Sequence, residues 1–64
     1  DLDLFAAARL IKKRSIGAFR RVEFNDKVKA KEFGIMSRAG FSYGLSKRLL
    51  IDMNKKEIED IYER

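Results

Sequence analysis

Apolar residues recur at helical spacing near the start of the chain. Four of them are separated by three or four positions, the interval that places side chains on one face of a helix. They are Leu4, Ala7, Ala8 and Ile11. Asp3 is suited to cap this helix, because a short side-chain oxygen accepts a hydrogen bond from the opening turn. We therefore predict a first helix from Asp3 to about Arg14, with its small alanines close to another helix.

A second helix is predicted between an N-cap at Asn25 or Asp26 and a stop at Gly40. At about 100° per residue, its apolar residues share one face. They are Val28, Ile35, Met36 and Ala39. Glu32 falls inside the same sector, so the apolar face is imperfect. A basic edge runs beside this face and consists of Lys27, Lys31 and Arg38 with Gly34.

The residues after the second helix predict a tight corner. Gly40 ends the helix, since glycine most readily takes the left-handed conformation found just after a helix. Phe41 is expected to fold back onto Met36, and Ser42 is expected to cap the next helix at once. We assign Gly40, Phe41 and Ser42 a structural role, as the corner of a helix-turn-helix junction.

A third helix is predicted from Ser42 or Tyr43, followed by a short fourth helix or a bent continuation after Asn54. Asn54 and Glu57 have the spacing of a capping box. The apolar residues of this part are Leu45, Leu49, Leu50, Ile51, Met53, Ile58, Ile61 and Tyr62. We expect the fourth helix to fold back onto Leu50 and Ile51. The prediction for residues 1–64 is one all-α domain, a small three-helix repeat with a short fourth helix.

The connector between the first two helices, Ser15 to Phe24, is unusually apolar for a loop. In our preferred interpretation its large apolar side chains close the open end of the helical bundle. These are Ile16, Phe19, Val22 and Phe24. In the alternative interpretation, the aromatic residues interleave with Arg20 and Arg21 to form a surface that stacks on bases and binds phosphates.

The composition excludes several kinds of chemistry. The chain has no Cys and no His, which excludes disulfides and thiolate zinc sites and removes the commonest general base. It also lacks the glycine-rich motifs that bind nucleotide phosphates. We predict no enzyme, no cofactor and no metal. Since no apolar run approaches about 18 residues, we predict no membrane span and expect a cytoplasmic protein.

Charge is distributed unevenly along the chain. Residues 9–48 carry twelve bases and three acids, whereas residues 1–8 carry two acids and no base, and residues 49–64 carry three bases and five acids. A basic block of this density favours a polyanion as partner, because each Lys or Arg placed on a phosphate releases counterions. A solvated surface is the other interpretation. For the Lys12–Arg14 cluster, the negative end of the first helix dipole also provides a local explanation.

Three segments in this order, residues 6–20, 26–32 and 36–50, resemble the C-terminal part of the RecX family. The most specific piece is R-A-G-F-S-Y, from Arg38 to Tyr43, which matches the R-x-G-[FY]-[SD] corner of that family. The resemblance covers about residues 4–50. The tail, residues 51–64, extends past the point where many family members end.

The resemblance implies a regulator of the RecA recombinase that modulates DNA repair. RecX proteins consist of tandem three-helix repeats, and they bind in the groove of the RecA filament on single-stranded DNA, where they inhibit recombinase and coprotease activity. By this likeness the chain is the last repeat of a longer protein, and its start at Asp1 rather than at Met fits a fragment. The implied partners are the RecA filament, single-stranded DNA and the upstream repeats, or a second copy of the fragment.

The candidate contacts to the filament and its DNA are cations of the basic block. They are Lys12, Lys13, Arg14, Arg20, Arg21, Lys27, Lys31, Arg38, Lys47 and Arg48. Two other functions remain open. One is sequence-specific DNA binding with the third helix in the major groove, although Gly44 in its first turn disfavours a stiff reading helix. The other is a protein-interaction module that binds no nucleic acid.

Overall fold

A computed structural model describes residues 2–63 of the chain. The helices in chain order are α1 (Leu2–Arg14), α2 (Asp26–Arg38), α3 (Tyr43–Lys47) and α4 (Lys55–Tyr62). A 3₁₀ turn, Gly17–Phe19, lies in the connector, and α3 continues into a π-helical turn, Arg48–Asp52. No strand occurs among the described residues, so the all-α prediction is confirmed. None of these helices is long and apolar enough to cross a membrane.

The corner after α2 forms as predicted. Gly40 has a φ of 93°, in the region that glycine tolerates best. The N–H of Phe41 donates to the Met36 carbonyl at 3.1 Å, and the N–H of Gly40 donates to the Ser37 carbonyl at 3.0 Å. These two hydrogen bonds define a Schellman end, and the positive φ of Gly40 lets the chain turn back sharply.

Helix α1 ends in the same way without a glycine. The N–H of Ile16 donates to the Ile11 carbonyl at 3.2 Å, and the N–H of Ser15 donates to the Lys12 carbonyl at 3.3 Å. Ser15 occupies the position of Gly40, with a φ of 53°. Because a side chain is strained there, the burial of Ile11 and Ile16 in the core must stabilise this end of the helix.

Side chains cap three helices at the predicted places. Each cap is a side-chain oxygen that accepts the backbone N–H three residues later, at 2.8 to 3.2 Å. The pairs are Asn25 with Val28, Ser42 with Leu45, and Asn54 with Glu57. Glu57 also accepts the N–H of Asn54, which completes the capping box. The predicted cap of α1 is wrong, since that helix begins at Leu2 and Asp3 lies within its first turn.

The core consists of the predicted helix faces and part of the connector. Its apolar residues are Ala7, Ala8, Ile11, Ile16, Ile35, Met36, Leu49, Leu50 and Ile58. Phe19 packs against this cluster, so the predicted closing role of the connector is correct for Ile16 and Phe19. It is wrong for Val22 and Phe24, which are 61% and 44% exposed, because the backbone leaves the 3₁₀ turn in an extended conformation at Arg20. Ala39, the C-cap of α2, is exposed as well.

The helices pack as two pairs, α1 with α4 and α2 with α3, and the 3₁₀ turn and the π-helical turn link the pairs. We expected α4 to fold back onto Leu50 and Ile51, but it packs chiefly on α1 and the 3₁₀ turn. Ile51 is 43% exposed. The reason is local: the N–H of Met53 donates to the Arg48 carbonyl at 3.0 Å, five residues back, and the extended backbone of Met53 then redirects the chain.

The same substitution at two glycines tests the corner. An added Cβ meets no atom within 4 Å at either Gly40 or Gly44, so the two positions differ in backbone conformation and not in space. We expect Gly40→Ala to destabilise the fold by about 1–2 kcal/mol, because its φ of 93° strains an L-residue. Gly44→Ala should be neutral or stabilising by up to about 1 kcal/mol, since Gly44 is helical.

Urea or thermal unfolding followed by circular dichroism measures the unfolding free energy and the Tm of both variants. In a domain of this size, 1 kcal/mol shifts Tm by roughly 4–8 °C. Equal Tm values for the two variants would contradict the assignment of Gly40 as the end of α2.

Candidate nucleic-acid interface

A buried ion pair anchors the connector. Glu32 lies in the apolar face of α2, and its side chain is 3% exposed. The Arg20 guanidinium binds it with two hydrogen bonds, 2.6 Å from Nη2 to Oε1 and 2.9 Å from Nε to Oε2. The backbone N–H of Gly17 donates to Oε1 at 3.3 Å, and Arg20 Nη2 also donates to the Leu50 carbonyl at 3.4 Å. The pair therefore ties the connector to α2 and to the end of α3.

Gly17 lets the connector approach α3 closely. Its φ is 59°, and a Cβ at this position would lie 3.4 Å from the Leu49 carbonyl oxygen and from side-chain atoms of Ile11 and Leu50. A contact of 3.4 Å is tight, and positive φ strains any residue with a side chain. Glycine thus allows the 3₁₀ turn to lie against the π-helical turn, where Arg20 reaches Leu50.

Arg20 differs from the other candidate cations because its charge is compensated. Besides pairing with Glu32, its guanidinium carbon lies 4.3 Å from the ring centroid of Phe24, a cation–π contact. Arg20 therefore positions the connector in this structure. Its predicted contact with DNA, and base stacking on Phe24, remain predictions.

A groove on one side of the connector is lined by cations of the predicted set. Arg14, Arg21 and Lys31 line it together with Val22 and part of α2. Lys27 and Lys31 line the adjoining depression beside Val22. Arg14, Arg21, Lys27 and Lys31 are all exposed, so the basic edge of α2 and the end of α1 meet along the connector.

A second groove lies between the connector, the end of α1 and the start of α4. Lys12 and Arg21 line it together with Phe19 and Lys55. The Nζ atoms of Lys12 and Lys55 lie 5.0 Å and 5.4 Å from the ring centroid of Phe19. Among residues 2–63, no acidic residue lines this groove. Arg21 lines both grooves, which makes the connector the place where most of the predicted cations converge.

Lys13 lines a different groove, which is formed by α1 and by Tyr62 of α4. Arg9 and Tyr62 line the same groove. Partial burial raises the pKa of Tyr62 above its ordinary value near 10, and the negative charges of Glu59 and Glu63 raise it further. Tyr62 shares this groove with the cations Arg9, Lys12 and Lys13.

Besides Lys13, three other predicted cations lie apart from the connector grooves. The Arg38 guanidinium folds over Gly34 of its own helix, where an added Cβ would lie 3.4 Å from Nη1. Arg48 lines a groove with Glu57 and Asp60, so acids neighbour it. Lys47 is exposed at the end of α3. The structure does not bring Lys13, Arg38, Lys47 and Arg48 together with the six predicted cations along the connector.

Sequence reasoning missed two cations that the structure adds to the grooves, Arg9 and Lys55. Arg9 precedes Lys13 by four positions, so helical periodicity could have placed both on one face. Lys55 lies in the tail, which carries more acids than bases, so the charge count did not point to it as a binding residue. Its position depends on how α4 packs against the connector, which periodicity does not reveal.

The arrangement is suited to binding phosphodiesters without reading base sequence. Exposed ammonium and guanidinium groups border a half-buried aromatic ring, and such groups bind phosphate oxygens whatever the base. Within residues 2–63, no group of three or more metal-ligating side chains could hold a metal ion.

Comparison with known proteins supports the resemblance found in the sequence. The chain is 44% identical over 59 residues to the regulatory protein RecX of Agrobacterium fabrum (strain C58). The matched segment is 92% of this chain and 32% of that protein, so the chain spans about a third of the length of this relative. No family model matches the chain, and no solved structure matches it at a significant level.

A pair of charge-removing variants tests the convergence on the connector. We expect Arg21→Gln to lower the affinity for single-stranded DNA and to reduce the slope of log K against log salt by about 0.7, the value for one phosphate contact. Lys47→Gln removes the same charge from an exposed position outside the grooves and should leave the slope unchanged. Fluorescence anisotropy with a labelled oligothymidylate at several salt concentrations measures both slopes. Equal slopes for the two variants would contradict the prediction that cations in the connector grooves bind DNA more strongly than exposed cations elsewhere.

Proposed function

Because this chain is a RecX-like sequence over 92% of its length, we propose that it serves in a regulatory protein that binds the RecA filament on single-stranded DNA and inhibits it. In this proposal the chain is the C-terminal helical repeat of a tandem-repeat protein. It acts by shape and positive charge, without chemistry of its own.

The convergence of exposed cations on the connector supports this proposal most directly. Lys12 lines one groove, Arg14 and Lys31 line the other, and Arg21 lines both, along a segment that the Arg20–Glu32 pair ties to α2. A recombinase filament presents a continuous phosphate backbone, and a rigid set of cations contacts such a backbone whatever its sequence. Sequence-independent binding suits a regulator that must act wherever the filament forms.

Exposed apolar residues support contacts with the rest of a longer protein or with the filament. Leu2 is 86% exposed, Phe5 37% and Ile51 43%. We assign this surface to the neighbouring repeat, since the RecX relative is about three times as long as the chain. The stacked pair of Phe33 and Tyr43, with ring centroids 5.2 Å apart, leaves Tyr43 68% exposed as a further apolar contact.

Sequence-specific binding is the weaker alternative. The regular part of α3 is five residues long, contains Gly44 in its first turn and passes directly into the π-helical turn. A helix that reads the major groove presents several side chains from a stiff exposed face. Here Ser46, Leu49 and Leu50 are buried, which leaves few positions to reach bases.

The full-length protein that contains this segment should slow ATP hydrolysis by RecA on single-stranded DNA at near-stoichiometric amounts. The physical reason is that a protein seated in the filament groove competes with the subunit contacts that maintain the filament. A coupled ATPase assay measures the rate, with filament length followed by light scattering. Unchanged ATP turnover and unchanged filament growth would refute the proposed function.

A further inference from the structure

The groove between α1 and α4 contains a cation that belongs to neither the basic block nor the RecX-like corner. Lys55 is the first residue of α4, and its Nζ lies 5.4 Å from the ring centroid of Phe19. Lys12 approaches the same ring from the end of α1, with its Nζ 5.0 Å from the centroid. Two ammonium groups distant in sequence therefore approach the same aromatic ring.

Local helix energetics explains Lys12 but not Lys55. Lys12 lies in the last turn of α1, where a positive charge is favourable beside the negative end of the helix dipole. Lys55 lies in the first turn of α4, where the dipole disfavours a positive charge. The Asn54–Glu57 capping box determines where α4 starts and so keeps Lys55 at this end of the helix.

The groove has the composition of an anion site. Its other lining residues include Ser15, Arg20 and Arg21, and none of those that the structure describes is acidic. Phe19 is half-buried against the core, so it provides a fixed floor that attracts each ammonium by cation–π contact. Like charges that share one groove repel each other, and an anion bound in that groove lowers the repulsion.

We propose that Lys12, Lys55 and Arg21 bind one backbone phosphate of single-stranded DNA over the edge of Phe19. The phosphodiester provides a single negative charge and two free oxygens, which match the N–H donors of the three side chains. This proposal rests on the proposed function and extends it, because it gives the tail a role: α4 supplies Lys55 and completes a site that α1 and the connector leave open on one side.

Two neighbouring lysines provide the test. Lys55 and Lys56 are both exposed in the first turn of α4, but the groove is lined by Lys55 and not by Lys56. In the full-length protein, Lys55→Gln should reduce the slope of log K against log salt for an oligothymidylate by up to about 0.7, the value for complete loss of one phosphate contact, and should weaken binding several-fold at low salt. Lys56→Gln removes the same charge from the same turn and should change neither quantity. Lys12→Gln should reproduce the effect of Lys55→Gln.

Equal titrations for Lys55→Gln and Lys56→Gln would overturn the phosphate site, as would a Lys55→Gln slope equal to that of the wild type. If the wild type shows no salt-dependent binding to the oligothymidylate, the site is also wrong. The RecA ATPase assay decides separately on the proposed function. A protein that inhibits RecA while both lysine variants titrate alike would retain the function and lose the site.

Discussion

The carboxylate of Glu32 is the constraint on which the rest of the structure depends. A buried charge is stable only when it is paired with an opposite charge and its lone pairs accept hydrogen bonds. The connector provides Glu32 with both. Arg20 supplies the opposite charge and two hydrogen bonds, and Gly17 supplies a backbone N–H. Because Arg20 also reaches the carbonyl of Leu50, one ion pair holds the connector against two helices. Arg21, the next residue, is consequently exposed at the junction of both basic grooves.

The two neighbouring arginines of the connector differ in their contacts. Arg20 is paired with Glu32, whereas the neighbouring Arg21 is exposed. The surrounding cations come from α1, α2 and α4, which do not form one continuous helical face. A connector of irregular backbone is therefore the element around which they can assemble, and a loop that is held rigidly by burial is suited to binding.

Much of the fold could be predicted from the sequence because its signals are local. The caps at Asn25, Ser42 and Asn54 and the stop at Gly40 each depend on residues within one helical turn. The left-handed Ser15, the π-helical turn and the exposure of Phe24 could not be predicted, since tertiary packing decides them. In the site, too, local features could be predicted and features that depend on tertiary packing could not. Glu32 was visible as a carboxylate in an apolar sector, but periodicity did not identify Arg20 as its partner twelve positions away. Lys55 was hidden because only the packing of α4 on α1 brings it to Phe19.

A comparison of unfolding free energies for two variants tests the central role of the ion pair. Arg20→Met leaves the Glu32 carboxylate buried without its partner and should cost about 3 kcal/mol or more. Adding Glu32→Gln removes the uncompensated charge, while the amide oxygen still accepts the N–H of Gly17. The account predicts that the Arg20→Met/Glu32→Gln double variant is more stable than Arg20→Met alone, in urea unfolding followed by circular dichroism. A double variant as unstable as the sum of the two single substitutions would contradict it.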